Sequence, residues 1–219
     1  MHNLYILATG PLLYLSFALF FGGMFIQILF LVIETYRKER FMFSFLSLSS
    51  VLMSVAHWLF PFGSTVMRRE KTLTLMGFGF HIGLFILPVF LFDHVLLIYE
   101  SWGVYWLTLS GMVPDVLSVF VLSACVYFLF RRSTKPEIRY ISTPIDYLIP
   151  LLVIFPVATG LWASHRLPGY PIAHITHILS GELLLSAIPF TRLSHMVLGF
   201  FTRVYTSSEF GRTRAAHDW

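Results

Sequence analysis

HITHILSGELLLSAIPFTRLSH, residues 174–195, is apolar and long enough to cross a bilayer, yet it carries three histidines. His195 follows His177 by 18 residues, which is five whole turns at about 3.6 residues per turn, so one continuous helix would present both rings on one face. At about 1.5 Å per residue they would stand about 27 Å apart, close to the hydrocarbon thickness of a bilayer. Two imidazoles on one stripe, one near each membrane surface, suggest that something is held at two depths.

The rest of the chain agrees with a membrane setting. Of 219 residues, 57% are hydrophobic and 12% charged, with a mean hydropathy of +0.76; soluble domains carry about 25% charged residues. The single cysteine, Cys125, lies in an apolar run, so no disulfide framework, thiolate iron–sulfur site or C-x-x-C-H haem attachment can be built. The opening MHNLYILATGPLLYL has no basic n-region and no small-residue cleavage site, which reads as a retained segment. No soluble domain or internal repeat appears, and the whole chain, 1–219, reads as one integral membrane domain.

Five segments are long enough to span, at about 11–33, 73–99, 113–130, 144–163 and 172–201. A sixth apolar run, 41–63, is arbitrated by charge. Basic residues cluster at RKER (37–40), RREK (68–71), RRSTKPEIR (131–139) and the tail from Arg203 to Arg214. If 41–63 crossed, RKER and RREK would fall on opposite sides, against the positive-inside rule. If it lies in the interface or re-enters, all four clusters face the cytoplasm and only Arg166 of the fifteen basic residues lies outside. Serines 44, 47, 49, 50 and 54 give this run a polar side suited to an interface. The expected fold is an all-α bundle of five transmembrane helices, N-terminus outside and C-terminus inside. The net charge of +4 is then membrane topology and calls for no nucleic acid.

The second span, MGFGFHIGLFILPVFLFDH, places His81 near its cytoplasmic start and His94 near its outer end. In the antiparallel last span His177 is outer and His195 inner, so levels pair as His81 with His195 and His94 with His177. Two imidazoles per level on facing helices is the ligand set of two bis-histidine haems. Thirteen residues leave His81 and His94 about 140° apart on an ideal helix, so Pro88 must rotate His94 towards its partner. Gly77, Gly79, Gly83, Gly181 and Gly199 leave room for a flat macrocycle or for close helix contact.

Other ionisable groups keep two readings each. His174, one turn before His177, competes as the outer ligand or serves a quinone site. Arg192 suits a haem propionate or a lipid phosphate. Asp93 is either a solvated helix-end acid or a proton acceptor beside His94. Glu182, well inside the last span, needs a partner or a proton. Asp115 and Asp146 read as N-caps. His57, His165, His2 and His217 read as structural or solvated.

HIG at 81–83 and IPFTRLSH at 188–195, with the 18-residue histidine spacing, resemble the gamma-subunit cytochrome b of respiratory nitrate reductase. The fuller patterns FHIGLFILPVFLFDH and HILSGELLLSAIPFTRLSHM are more similar to the cytochrome b subunits of transmembrane redox complexes of sulfate-reducing bacteria. The resemblance covers the second to fifth spans. It implies a multi-pass subunit of the bacterial inner membrane, one of several membrane subunits, with two b-type haems on His81, His195, His94 and His177. It further implies electron transfer between an outer donor, menaquinol or a periplasmic multihaem cytochrome c, and a cytoplasmic iron–sulfur subunit. The nitrate reductase subunit has its two second-helix ligands ten residues apart; position 91 here is Leu, so the outer ligand falls on His94. Two other classes compete. A histidine-based metal or ion transporter would gather its ligands at one depth, and a cofactor-free anchor would tolerate loss of every histidine.

Overall fold

The computed structural model describes residues 2–213, excluding the side chains of Met42, Phe45 and 208–213. His217, Arg214 and the end of the basic tail lie outside the described residues. Among the described residues all regular structure is helical, without a strand. We number the principal helices α1 (His2–Lys38), α2 (Leu48–Leu59), α3 (Lys71–Phe90), α4 (Phe92–Trp102), α5 (Val113–Thr134), α6 (Pro144–Ser164), α7 (Tyr170–Ala187) and α8 (His195–Thr213).

Five helical stretches are long and apolar enough to cross a membrane: α1, α3, α5, α6 and Tyr170–Phe190. The 41–63 run is not among them. It divides into a 3-10 turn, Arg40–Phe45, and the 12-residue α2. Twelve residues rise about 18 Å, too short for a hydrocarbon core of about 30 Å. Large apolar side chains face outward, including Phe25 and Phe30, each 66% exposed. Helices satisfy their backbone internally, so such a surface is suited to lipid.

Contacts divide the chain into two compact units, 1–74 with 182–219, and 75–181. In the first, α2 packs on α8, with Trp58 set edge-on to Phe200 at 5.5 Å and against Gly199. Gly23 of α1 has no Cβ because the Pro189 ring stands 2.7 Å from where one would be. Gln27, one turn on, donates its amide to the Pro189 carbonyl. These contacts hold a break that corrects the continuous 172–201 span. The helix ends at Ala187, passes through 3-10 turns at Ile188–Phe190 and Arg192–Ser194, and is fully extended at Thr191. Pro189 supplies no N–H and clashes with the preceding turn, while the Thr191 hydroxyl caps Leu193 N–H at 3.3 Å. His177 and His195 therefore lie on separate helices, and the five-turn stripe does not exist.

In the second unit α5 packs on α6 around Val121, Ala124, Cys125 and Val153. At one end Arg132 donates to Ser142 at 2.8 Å and lies 3.8 Å from Asp146. Asp146 accepts from Thr143 N–H at 2.8 Å, closing a capping box on α6. At the other end Asp115 meets His165 at 3.2 Å. Asp115 is thus an ion-pair partner rather than the N-cap of α5, a position held by Met112. Gly79 and Gly83 let Phe120 and Val121 of α5 lie on the α3 backbone.

The second span also breaks. Pro88 removes the N–H owed to the Leu84 carbonyl, and three residues later Leu91 turns extended, with ψ 134°. The orphan carbonyls at the end of α3 are then taken up one by one. Leu87 accepts from Leu91 N–H at 3.1 Å and Phe90 from Leu109 N–H at 2.7 Å. Pro88 accepts from His94 Nδ1 at 3.1 Å, and Val89 from Trp106 Nε1 at 2.7 Å. Beyond it, α4 ends at Gly103, whose φ of +70° favours a residue without a Cβ.

Candidate functional site

His94 and His177 meet. Their Nε2 atoms are 3.4 Å apart, their ring planes 9° from parallel, and their centroids 5.7 Å apart. The centroid distance exceeds the nitrogen gap by about two ring radii, so the imidazoles point at one another end to end rather than face to face. The register change expected at Pro88 is what the α3–α4 break provides.

Each ring is held from behind. His177 Nδ1 lies 2.7 Å from the Pro156 carbonyl of α6, and His94 Nδ1 3.1 Å from the Pro88 carbonyl. A carbonyl only accepts, so each Nδ1 carries the hydrogen. A neutral imidazole then presents a lone pair on Nε2, and here two such lone pairs are aimed at each other. That cannot be a hydrogen bond between neutral rings. An electrophile between them would satisfy both lone pairs, whereas a charge on one ring is costly in an apolar setting. A metal–imidazole bond is about 2.0–2.1 Å, and the observed 3.4 Å would need only a small side-chain adjustment to admit such a bond from each ring. Ring nitrogens oriented by backbone carbonyls are the usual outer shell of a metal-bound histidine. The donor chemistry of the pair therefore suits a metal that takes imidazole nitrogen, with His94 and His177 the residues that would hold it.

The other two candidate ligands have the same tautomer. His81 Nδ1 lies 2.7 Å from the Gly77 carbonyl one turn back, and His195 Nδ1 2.7 Å from the Arg192 carbonyl. Both rings, when neutral, thus carry their lone pair on Nε2. His81 belongs to the second unit and His195 to the first, and each is described in its own surroundings. Nothing lies within 4 Å of where a Cβ would stand on Gly77 or Gly181, so both present bare backbone to open space. His195 borders a cavity of about 560 Å³, with Arg192, Arg203, Thr202 and Trp58 also in its wall. The Arg203 Nε is buried and has no hydrogen-bond partner among the described residues.

The remaining candidates separate. Asp93 is exposed beside His94, and His174 is half-buried one turn before His177. Among the described residues no group of three or more His, Cys, Asp or Glu gathers as a metal site. Glu182 is buried at 9% exposure, and its Oε1 has no partner among the described residues. Sequence reasoning missed Pro156 and Gly160, which orient His177, and Trp106, which caps the helix carrying His81. Gly160, four residues after a proline inside an apolar span, was the available signal.

No family model matches the chain. A protein of Nitratidesulfovibrio vulgaris (strain Hildenborough), named only "Protein", is 32% identical over 204 residues, which cover 91% of this chain and 90% of the relative. At that identity over nearly the full length of both, this chain belongs to the same family as the N. vulgaris protein.

Proposed function

We propose that the chain is a dihaem cytochrome b subunit of a membrane respiratory complex. It would pass electrons between an outer donor, menaquinol or a periplasmic multihaem cytochrome c, and a cytoplasmic iron–sulfur subunit. The observation that carries this reading is the end-to-end pair His94–His177, with both Nδ1 atoms on proline carbonyls and both Nε2 atoms facing the gap. His94 and His177 would hold the outer haem, His81 and His195 the inner one. When bound, each haem supplies a one-electron redox couple.

The protein's own part is to bind, orient and insulate. The backbone carbonyls fix all four imidazoles in the ligating tautomer. Arg192 and Arg203, on the cavity beside His195, would take the carboxylates of the inner haem, and guanidinium pairs well with carboxylate. By the positive-inside rule the N-terminus would lie outside and the C-terminus inside, with α2 interfacial or re-entrant on the cytoplasmic side; the membrane would be the bacterial inner membrane. The charge of the basic clusters would then face anionic lipid and the iron–sulfur subunit.

The test is a reduced-minus-oxidised absorption spectrum of the protein purified from haem-replete cells. A b-type spectrum, reduced by a menaquinol analogue or by a reduced multihaem cytochrome c, is the expected result. A featureless difference spectrum would overturn the reading.

A further inference from the structure

We propose that Gly160 and the Pro156 carbonyl of α6 are positioning elements for His177, setting the plane and tautomer in which it meets the outer iron; this rests on the cytochrome reading above. A Cβ built on Gly160 would stand 2.8 Å from Nδ1 and 2.9 Å from Cε1 of His177. Real Cβ atoms essentially never come under 3.0 Å of another heavy atom, so an alanine here must move the ring or the helix. The ring is not a flexible chain end. Its Nδ1 is tied to Pro156 at 2.7 Å and its Nε2 faces His94 at 3.4 Å.

Glycine at 160 is therefore what lets an imidazole from α7 lie on the backbone of α6. The two contacts belong together. Residues 156 and 160 are one helical turn apart, so the carbonyl that accepts Nδ1–H and the Cα that the ring covers adjoin on one face of α6. Pro156 O can serve both its own helix and His177, because a carbonyl has two lone pairs. The Thr159 hydroxyl donates instead to the neighbouring Phe155 carbonyl at 2.6 Å. The other close-packed glycines of this unit serve helix contact: Gly79 meets Phe120 and Gly83 meets Val121.

The experiment compares Gly160→Ala, His177→Gly and the double variant in the full chain, purified from membranes. Three quantities are read: protein accumulated, haems per chain, and the low-spin ferric EPR signals, which report the relative orientation of paired imidazole planes. Gly160→Ala is expected to change or abolish one EPR signal and leave the other as in wild type. In the His177→Gly background it is expected to change nothing further, because the ring it strikes is gone. If Gly160→Ala fails to accumulate, the double variant should recover to the level of His177→Gly alone. Wild-type EPR signals in Gly160→Ala would overturn the proposal, as would an equal loss of accumulation with and without the His177 ring. A wild-type chain that binds no haem would instead overturn the cytochrome reading. The ring contact would then be judged by accumulation in the same variants.

Discussion

Replacing Trp106 by Phe tests whether the end of α3, and with it the outer site, is held by capping of its last carbonyls. The indole Nε1 donates to Val89 at 2.7 Å, directly beside the Pro88 carbonyl that holds His94. Phe keeps the aromatic bulk and deletes the donor. A carbonyl left unpaired costs about 1–3 kcal/mol. Val89 lies in the last turn of α3, where its carbonyl is one of the helix-end acceptors, and the low end of that range, about 1 kcal/mol, is taken as the loss. For a chain of this size that is a fall of about 2–4 °C in melting temperature. The assay is thermal unfolding in detergent, followed by helical circular dichroism, with EPR recorded on the same preparation. The expected result is a fall of that size together with a broadened outer-site signal, since His94 hangs from the neighbouring carbonyl. A variant that melts with wild type and has an unchanged spectrum would refute the reasoning.

Three further outcomes are expected. His94→Ala, His177→Ala and the double variant should each lose the same single haem, because both ligands serve one iron and their effects do not add; loss of a second haem in the double variant would show separate sites. The near-parallel planes of His94 and His177, 9° apart, call for a rhombic ferric EPR signal from the outer haem; a highly anisotropic signal would mean crossed planes. Asp146→Asn should weaken the capping box at the start of α6 by about 1 kcal/mol, read as a lower melting temperature with haem content unchanged.

The five apolar spans were legible because they follow from residue type and length, and His94 with His177 because both are histidines at the outer ends of their spans. The change at Pro88 was legible because His81 and His94, about 140° apart on an ideal helix, needed one and a proline lies between them. The break at Ile188–Ser194 was not. Its sequence continues apolar through Pro189, and the break shows only when Gly23 and Gln27, far away in the chain, are seen to hold it open. The role of Gly160 was hidden for the same reason: a glycine shows its purpose only when the ring from another helix is placed on it. Asp115 looked like a cap because it opens a helix, and only the fold brings it to His165.

The most direct single measurement is the haem content of the purified wild-type chain by pyridine haemochrome, set against protein concentration. Two b-type haems per chain is the expected result, the number of iron sites that His81, His94, His177 and His195 can ligate in pairs. A chain from haem-replete cells with no bound haem would contradict it, and the facing imidazoles of His94 and His177 would then have to be explained by a charge or a different metal.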